Sequence, residues 1–202
     1  MSNRPVRPRN AASLIIHRGE GEDLEVLMGC RYSKARFQPG VYVFPGGMLE
    51  RSDSNVKAAT ELNPQYVTAM GVGGALNRAQ ALGIAAIRET YEEVGLMVAS
   101  STKHPVSAHT NWQDFAAQSL APHLSPLNYI GRAITPAHQP IRFDARFFCV
   151  DAKYATGTIR DNGELTDLRW IKLPDAKNFN MMKVTHMIDR KRTRLNSSHD
   201  QI

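Results

Sequence analysis

The chain has 202 residues, 42% of them hydrophobic and 22% charged, and a formal net charge of +6, an ordinary globular composition with enough chain for a sizeable core. No apolar run approaches the ~20 residues that a membrane span requires and no apolar signal-peptide core follows the N-terminus, so a cytoplasmic protein is expected. The positive charge forms no basic stripe interleaved with aromatics; it suits a small polyanionic ligand rather than nucleic acid.

Ala11–His17 reads as a buried strand and Leu24–Arg31 as its hairpin partner across a Gly19–Asp23 turn. Val41–Phe44 is a short strand of β-formers, stopped by the breaker Pro45-Gly46-Gly47. Ser52–Gly74 is irregular, with a short helix expected around Pro64–Met70. The helix-formers of Ala75–Val94 then predict a long helix, weakened by about 1 kcal/mol at Gly83 and closed by Gly95 in the C-terminal capping position.

Beyond it come a strand over Leu96–Ala99, a polar loop over Ser100–His109 and an amphipathic helix over Asn111–Leu120. Strands are expected over Leu127–Ile134, Arg142–Asp151 and Glu164–Leu173, with turns at Pro136–Pro140 and Asp161–Gly163. Two short helical pieces follow from Pro174 to about Lys191, and Thr193–Ile202 reads as a non-native or disordered tail. The pattern is a mixed sheet with few helices, an α+β layered domain over residues 1–192. Cys30 and Cys149 sit in strand-like runs and read as buried thiols. Trp112 and Trp170 read as core residues, and the histidines show no metal spacing.

The chemistry concentrates at the end of the long helix. Residues three and four apart share a helix face, so Glu89, Glu92 and Glu93 make one acidic cluster, with Ile84, Ile87, Tyr91 and Val94 on the opposite, core-facing side. Like charges so spaced repel. Either solvent surrounds the face or a hard divalent cation offsets the repulsion, since Mg²⁺ favours carboxylate and phosphate oxygens.

The glycine turn and this helix together resemble the Nudix hydrolases, whose box is G-x5-E-x7-R-E-U-x-E-E-x-G-U, with U aliphatic. Arg88–Leu96 is similar to its second half, with Thr90 in place of an aliphatic residue. Gly47 fits the opening glycine and Asp53 stands where the first glutamate falls. Residues 54–87 separate Asp53 from Arg88 where the family has seven, so about 27 extra residues interrupt the box, at about 54–80. Loop closure tolerates this, because doubling a loop costs only ~0.6 kcal/mol.

A second resemblance precedes the box. Coenzyme A diphosphatases of this family carry L-L-T-x-R-S/A-x3-R-x3-G-x3-F-P-G-G, and Leu27, Arg31, Arg36, Gly40 and Phe44–Gly47 keep its spacing, while Met28, Gly29 and Tyr32 depart from its preferred types. The interruption resembles the peroxisomal branch of those enzymes. The resemblance implies a Nudix-type α/β/α sandwich, Mg²⁺ or Mn²⁺ as cofactor on Glu89, Glu92, Glu93 and the Gly46 carbonyl, and Glu93 as principal ligand. It implies Glu89 as a group that orients or deprotonates water, Arg88 as a residue that positions a glutamate, and Arg31, Arg36 and Phe44 as substrate contacts. Asp161 or Glu164 is the candidate for an additional acid. The implied substrate is coenzyme A or an acyl derivative; ADP-ribose, NADH or an oxidised nucleotide is the alternative, and a non-catalytic nucleotide sensor is the reading from another class. A homodimer is compatible with the family.

Overall fold

The computed structural model describes residues 6–34, 39–103 and 110–179. In chain order these form strands β1 (Arg9–Arg18), β2 (Glu25–Arg31), β3 (Tyr42–Val43) and β4 (Gly46–Met48), helix α1 (Leu76–Val94), strand β5 (Leu96–Ser101) and the short helix α2 (Gln113–Ala117). Strands β6 (Leu120–Pro122), β7 (Asn128–Ile134), β8 (Phe143–Asp151), β9 (Ala155–Gly157) and β10 (Leu165–Lys172) follow.

Strand β1 is the axis. Its alternate residues Leu14 and Ile16 enter one apolar cluster and Ile15 the other, which is why it reads as an unbroken apolar run. Among the described residues the larger, mixed sheet runs β10-β2-β1-β8-β7, with β3 on β2 and β4 on β1, and β6-β5-β9 make a smaller sheet. Strands β1 and β8 pair in parallel from Arg9↔Phe143 to His17↔Asp151, so the intervening chain must cross over, and α1 lies in that crossover. Leu82, Ala85 and Ile87 of α1 pack with Leu14, Ile16 and Phe148, while Ile15, Val26, Met28, Phe44 and Phe147 pack on the other face. The chain is an α+β sandwich built on a mixed sheet, as expected. No helix of the described residues is long and apolar enough to cross a membrane.

The predicted long helix is present. Gly95 closes it at φ 77°, in the left-handed region, with its N–H on the Tyr91 carbonyl. Gly83 is tolerated for a packing reason: a Cβ there would stand 3.1 Å from a Leu124 methyl.

Several local expectations are corrected. Gly46-Gly47 does not end the sheet but forms β4 on β1, with Ala12 opposite Gly47; a β-carbon on Gly46 would lie 2.6 Å from the Ser13 Cα, so the close pairing itself selects glycine. The helix expected over Pro64–Met70 contracts to a 3-10 turn, Pro64–Tyr66. That over Asn111–Leu120 splits into a 3-10 turn, α2 and the start of β6, because Leu120 pairs with Ser101. The β1–β2 hairpin pairs only at its closed end, His17↔Val26 and Arg18↔Glu25, and β4 takes the start of the same edge of β1 over Ala11–Ser13. Trp112 is core, but Trp170 is half-buried beneath the Arg18 guanidinium, 4.2 Å from its ring centre. Cys149 is buried and Cys30 half-buried. After Pro174 a 3-10 turn covers Leu173–Asn178; the helical pieces expected to Lys191 and the tail 193–202 lie outside the described residues.

The irregular segment 54–75 is packed rather than peripheral. Leu62, Met70 and Val72 are buried in the main core. The Tyr129 hydroxyl donates to the Ala69 carbonyl at 3.3 Å and that of Tyr66 to Asn128 Oδ1 at 3.1 Å. Truncating the fully buried Met70 to alanine should therefore cost about 2–5 kcal/mol, as a core deletion does; urea denaturation measures it, and a loss below about 0.5 kcal/mol would show the segment to be peripheral.

Candidate active site

The site forms where the last turns of α1 meet β4. Its centre is Arg88, buried to 2% exposure. A guanidinium has five N–H donors, and all five are used. Nε donates to Asp53 Oδ1 at 2.8 Å, and Nη2 to Asp53 Oδ2 at 3.2 Å and to the Met48 carbonyl at 2.9 Å. Nη1 donates to Glu89 Oε1 at 2.9 Å and Glu92 Oε2 at 3.2 Å. Burial alone would depress the guanidinium, but the Asp53 hydrogen bond and the charges of Glu89, Asp53 and Glu92 outweigh it and hold Arg88 firmly protonated. Asp53 is completely buried, and its Oδ2 also accepts the Glu50 N–H at 2.8 Å.

The helical carboxylates depart from the simple acidic face. Glu89 lies against β4, where a β-carbon on Gly47 would fall 2.3 Å from its Oε1, so only glycine leaves room for it. Glu93 turns to the Gly46 N–H, which it accepts at 2.8 Å. The repulsion among the three is thus offset within the protein by Arg88 and by a backbone donor. Among the described residues no three His, Cys, Asp or Glu side chains already converge as a metal cage. Burial nevertheless pushes Glu93 up to about 8, despite Gly46 and Arg31, with Glu89 and Glu164 acting in the same direction. Burial also pushes Glu89 up to about 7 against the pull of Arg88 and raises Glu92. Glu92 Oε1 is buried without a hydrogen-bond partner. An oxygen-only set of one buried and two half-buried carboxylates, one with an orphaned oxygen, fits a hard divalent cation by donor chemistry.

The other expected residues are placed unevenly. Arg31, half-buried at the end of β2, is the cation whose charge bears on Glu93, and its buried Nε has no hydrogen-bond partner. Glu164 is exposed on the turn before β10, and its charge also bears on Glu93; Asp161 is exposed on the same turn. Phe44 is 7% exposed and packs in the second apolar cluster, against the expectation of a substrate contact; it follows β3 directly and alternates with Val43, which enters the first cluster. Arg36 lies outside the described residues.

Sequence reasoning missed Met48, which contributes through its carbonyl, a group carrying no side-chain signal. It also missed Glu50, whose charge raises Glu92 and which lies three residues from Asp53. The buried ion pair makes a direct demand on stability. Replacing Asp53 by alanine strands the Arg88 charge and should cost about 3–5 kcal/mol, read as a shifted urea midpoint; a loss below about 1 kcal/mol would show that Arg88 has other means of compensation.

No family model matches the chain. It is 26% identical to the acyl-coenzyme A diphosphatase NUDT19 of Xenopus laevis, over 73% of this chain and 52% of that protein. The chain spans about half the length of the curated relatives it matches. Among solved structures, a Nudix hydrolase from Alicyclobacillus acidocaldarius is similar at a TM-score of 0.66 and 26% identity, covering 89% of this chain and 88% of the other. The Nudix domain of Shewanella oneidensis NrtR, solved with ADP ribose, is similar in fold at a TM-score of 0.52 and 13% identity, over 94% and 90%. With the arginine-centred carboxylates of α1 set against a glycine strand, these likenesses show the chain to have the Nudix fold and to be similar, in sequence as in structure, to Nudix hydrolases.

Proposed function

We propose that residues 1–192 form one Nudix domain, its box interrupted at about 54–80, that hydrolyses a diphosphate linkage in a nucleotide-type substrate, most specifically coenzyme A or an acyl-coenzyme A. The observation that carries the hydrolase reading is the carboxylate set of buried Glu93 and half-buried Glu89 and Glu92 beside Gly46-Gly47, with an unpartnered Glu92 oxygen. Coenzyme A is supported by the spacing of Arg31, Arg36 and Phe44–Gly47 and by the name of the Xenopus relative.

Glu93, Glu92 and Glu89, with the Gly46 carbonyl, would hold Mg²⁺ or Mn²⁺, and Glu93 is the principal ligand. The cation supplies neutralisation of the diphosphate charge and activation of water. Arg88 does not touch substrate; through its donors to Glu89 and Glu92 it keeps both carboxylates in place. Glu89, seated against Gly47, orients the attacking water and takes its proton. Arg31, with its unsatisfied Nε, binds a substrate phosphate, and Arg36 is assigned the same role from the motif. Glu164, whose charge bears on Glu93, stands as the additional acid. Water adds to one phosphorus as the bridging P–O bond breaks, which for coenzyme A yields 3′,5′-ADP and a phosphopantetheine product.

The test is a substrate panel of coenzyme A, acetyl-coenzyme A, ADP-ribose, NADH and 8-oxo-dGTP with Mg²⁺ or Mn²⁺. Turnover of the coenzyme A compounds is expected. Turnover of ADP-ribose alone would redirect the substrate class, and no turnover of any diphosphate would leave a nucleotide sensor as the better account. EDTA should abolish turnover and excess Mg²⁺ restore it. Glu93→Gln should lower kcat by about 100-fold or more, a loss of roughly 3 kcal/mol in transition-state stabilisation, with unchanged circular dichroism; wild-type turnover would remove Glu93 from the role of principal ligand.

A further inference from the structure

A second buried arginine stands apart from the carboxylate site. Arg146 of β8 is 2% exposed. Its Nε donates to the Met70 carbonyl at 3.1 Å, and its Nη1 to Asn10 Oδ1 and to the Asp144 carbonyl, both at 2.7 Å. The Asp144 carboxylate lies 3.1 Å from Nη1 and is gripped on its other side by Arg132, at 2.6 and 2.7 Å. Arg132 in turn lies over Gly71, where a β-carbon would be 2.4 Å from its Nη1. The cluster thus ties together β1, β7, β8 and the end of the segment that leads into α1.

From Asn10 a hydrogen-bonded path reaches the site. The Asn10 carbonyl accepts the Leu49 N–H at 2.9 Å. The neighbouring Met48 carbonyl accepts Arg88 Nη2 at 2.9 Å, and Arg88 holds Glu89 and Glu92. Arg146 therefore braces both chain segments that frame the carboxylates: the exit of β4 through Asn10, and the approach to α1 through Met70. Stability alone does not call for such a group, because a buried ion pair can often be replaced by packed apolar residues at no cost. A fork of fixed donors instead sets the register between the elements it joins.

Resting on the hydrolase reading above, we propose that Arg146 is a positioning residue, which through Asn10 and β4 sets the placement of Arg88 and hence of the cation-binding carboxylates. The test uses Arg146→Lys and Asn10→Ala in the full chain, with Mn²⁺ affinity measured by electron paramagnetic resonance without substrate, and kcat and KM measured on the diphosphate that wild type turns over. Lysine keeps the charge but loses the fork; the alanine removes one bond of the brace and leaves Arg146 in place. Both variants should bind Mn²⁺ about threefold to tenfold more weakly, the lower range for indirect partners of a metal ligand, and lose kcat with KM changed less than about twofold, the mark of an interaction felt in the transition state. A purely structural role would lower the melting temperature and leave the Mn²⁺ affinity and kcat of the folded variants at wild-type values, which overturns the proposal; if Arg146→Lys does not fold, Asn10→Ala decides. A wild-type protein that binds no Mn²⁺ and turns over no diphosphate would overturn the hydrolase reading, and the positioning role with it.

Discussion

Arg88 and Asp53 form a buried, two-pronged ion pair on which the other features of the site depend. A guanidinium at 2% exposure is tolerable only where its donors are satisfied and its charge is met, because an unpaired buried charge costs several kcal/mol. Asp53 meets the charge from the chain before α1, Met48 supplies a carbonyl from β4, and Glu89 and Glu92 use the remaining donors. One side chain thereby joins the helix to the glycine strand and to the segment leading away from it. It also removes much of the repulsion that a helix bearing three nearby carboxylates would suffer.

Close approach is the second constraint. Strand β4 lies so near β1 and α1 that a β-carbon on Gly46 would strike Ser13, and one on Gly47 the Glu89 carboxylate. The same closeness brings the Gly46 N–H to Glu93. The long segment 54–75 is compatible with this arrangement because it leaves Asp53 on one side of the site and α1 on the other. Its length is absorbed by burying Leu62, Met70 and Val72 and by polar anchors on β7 and β8.

Much of this was legible in the residues. The helix end at Gly95, the carboxylate spacing, the family resemblance and the main strands need only local propensity, periodicity and turn chemistry. The ion pair between Asp53 and Arg88, 35 positions apart, had only the motif to suggest it. Less legible were features set by the partner rather than by the element itself. Gly46-Gly47 has the local character of a breaker and becomes a strand because β1 offers a free edge. Leu120 looks like a helix end and becomes a strand because Ser101 lies opposite. Asp144 and Arg146 alternate with Phe148 on a single strand face, and nothing in that alternation says that Asn10 and Met70 will meet them.

The sequence by itself determined which groups share a helix face, since the α-helical repeat makes Glu89, Glu92 and Glu93 neighbours whatever surrounds them. It likewise determined where α1 must end and that the sheet must have a two-sided core around β1. Only the tertiary structure decided the directions of those carboxylates: Glu89 and Glu92 to Arg88, Glu93 to a backbone N–H, and one Glu92 oxygen to no partner at all. It also decided that Phe44 belongs to the core and that the Arg31 charge bears on Glu93. Side-chain direction at these places follows from long-range pairing and desolvation, which bring together residues far apart along the chain and which no local repeat can encode.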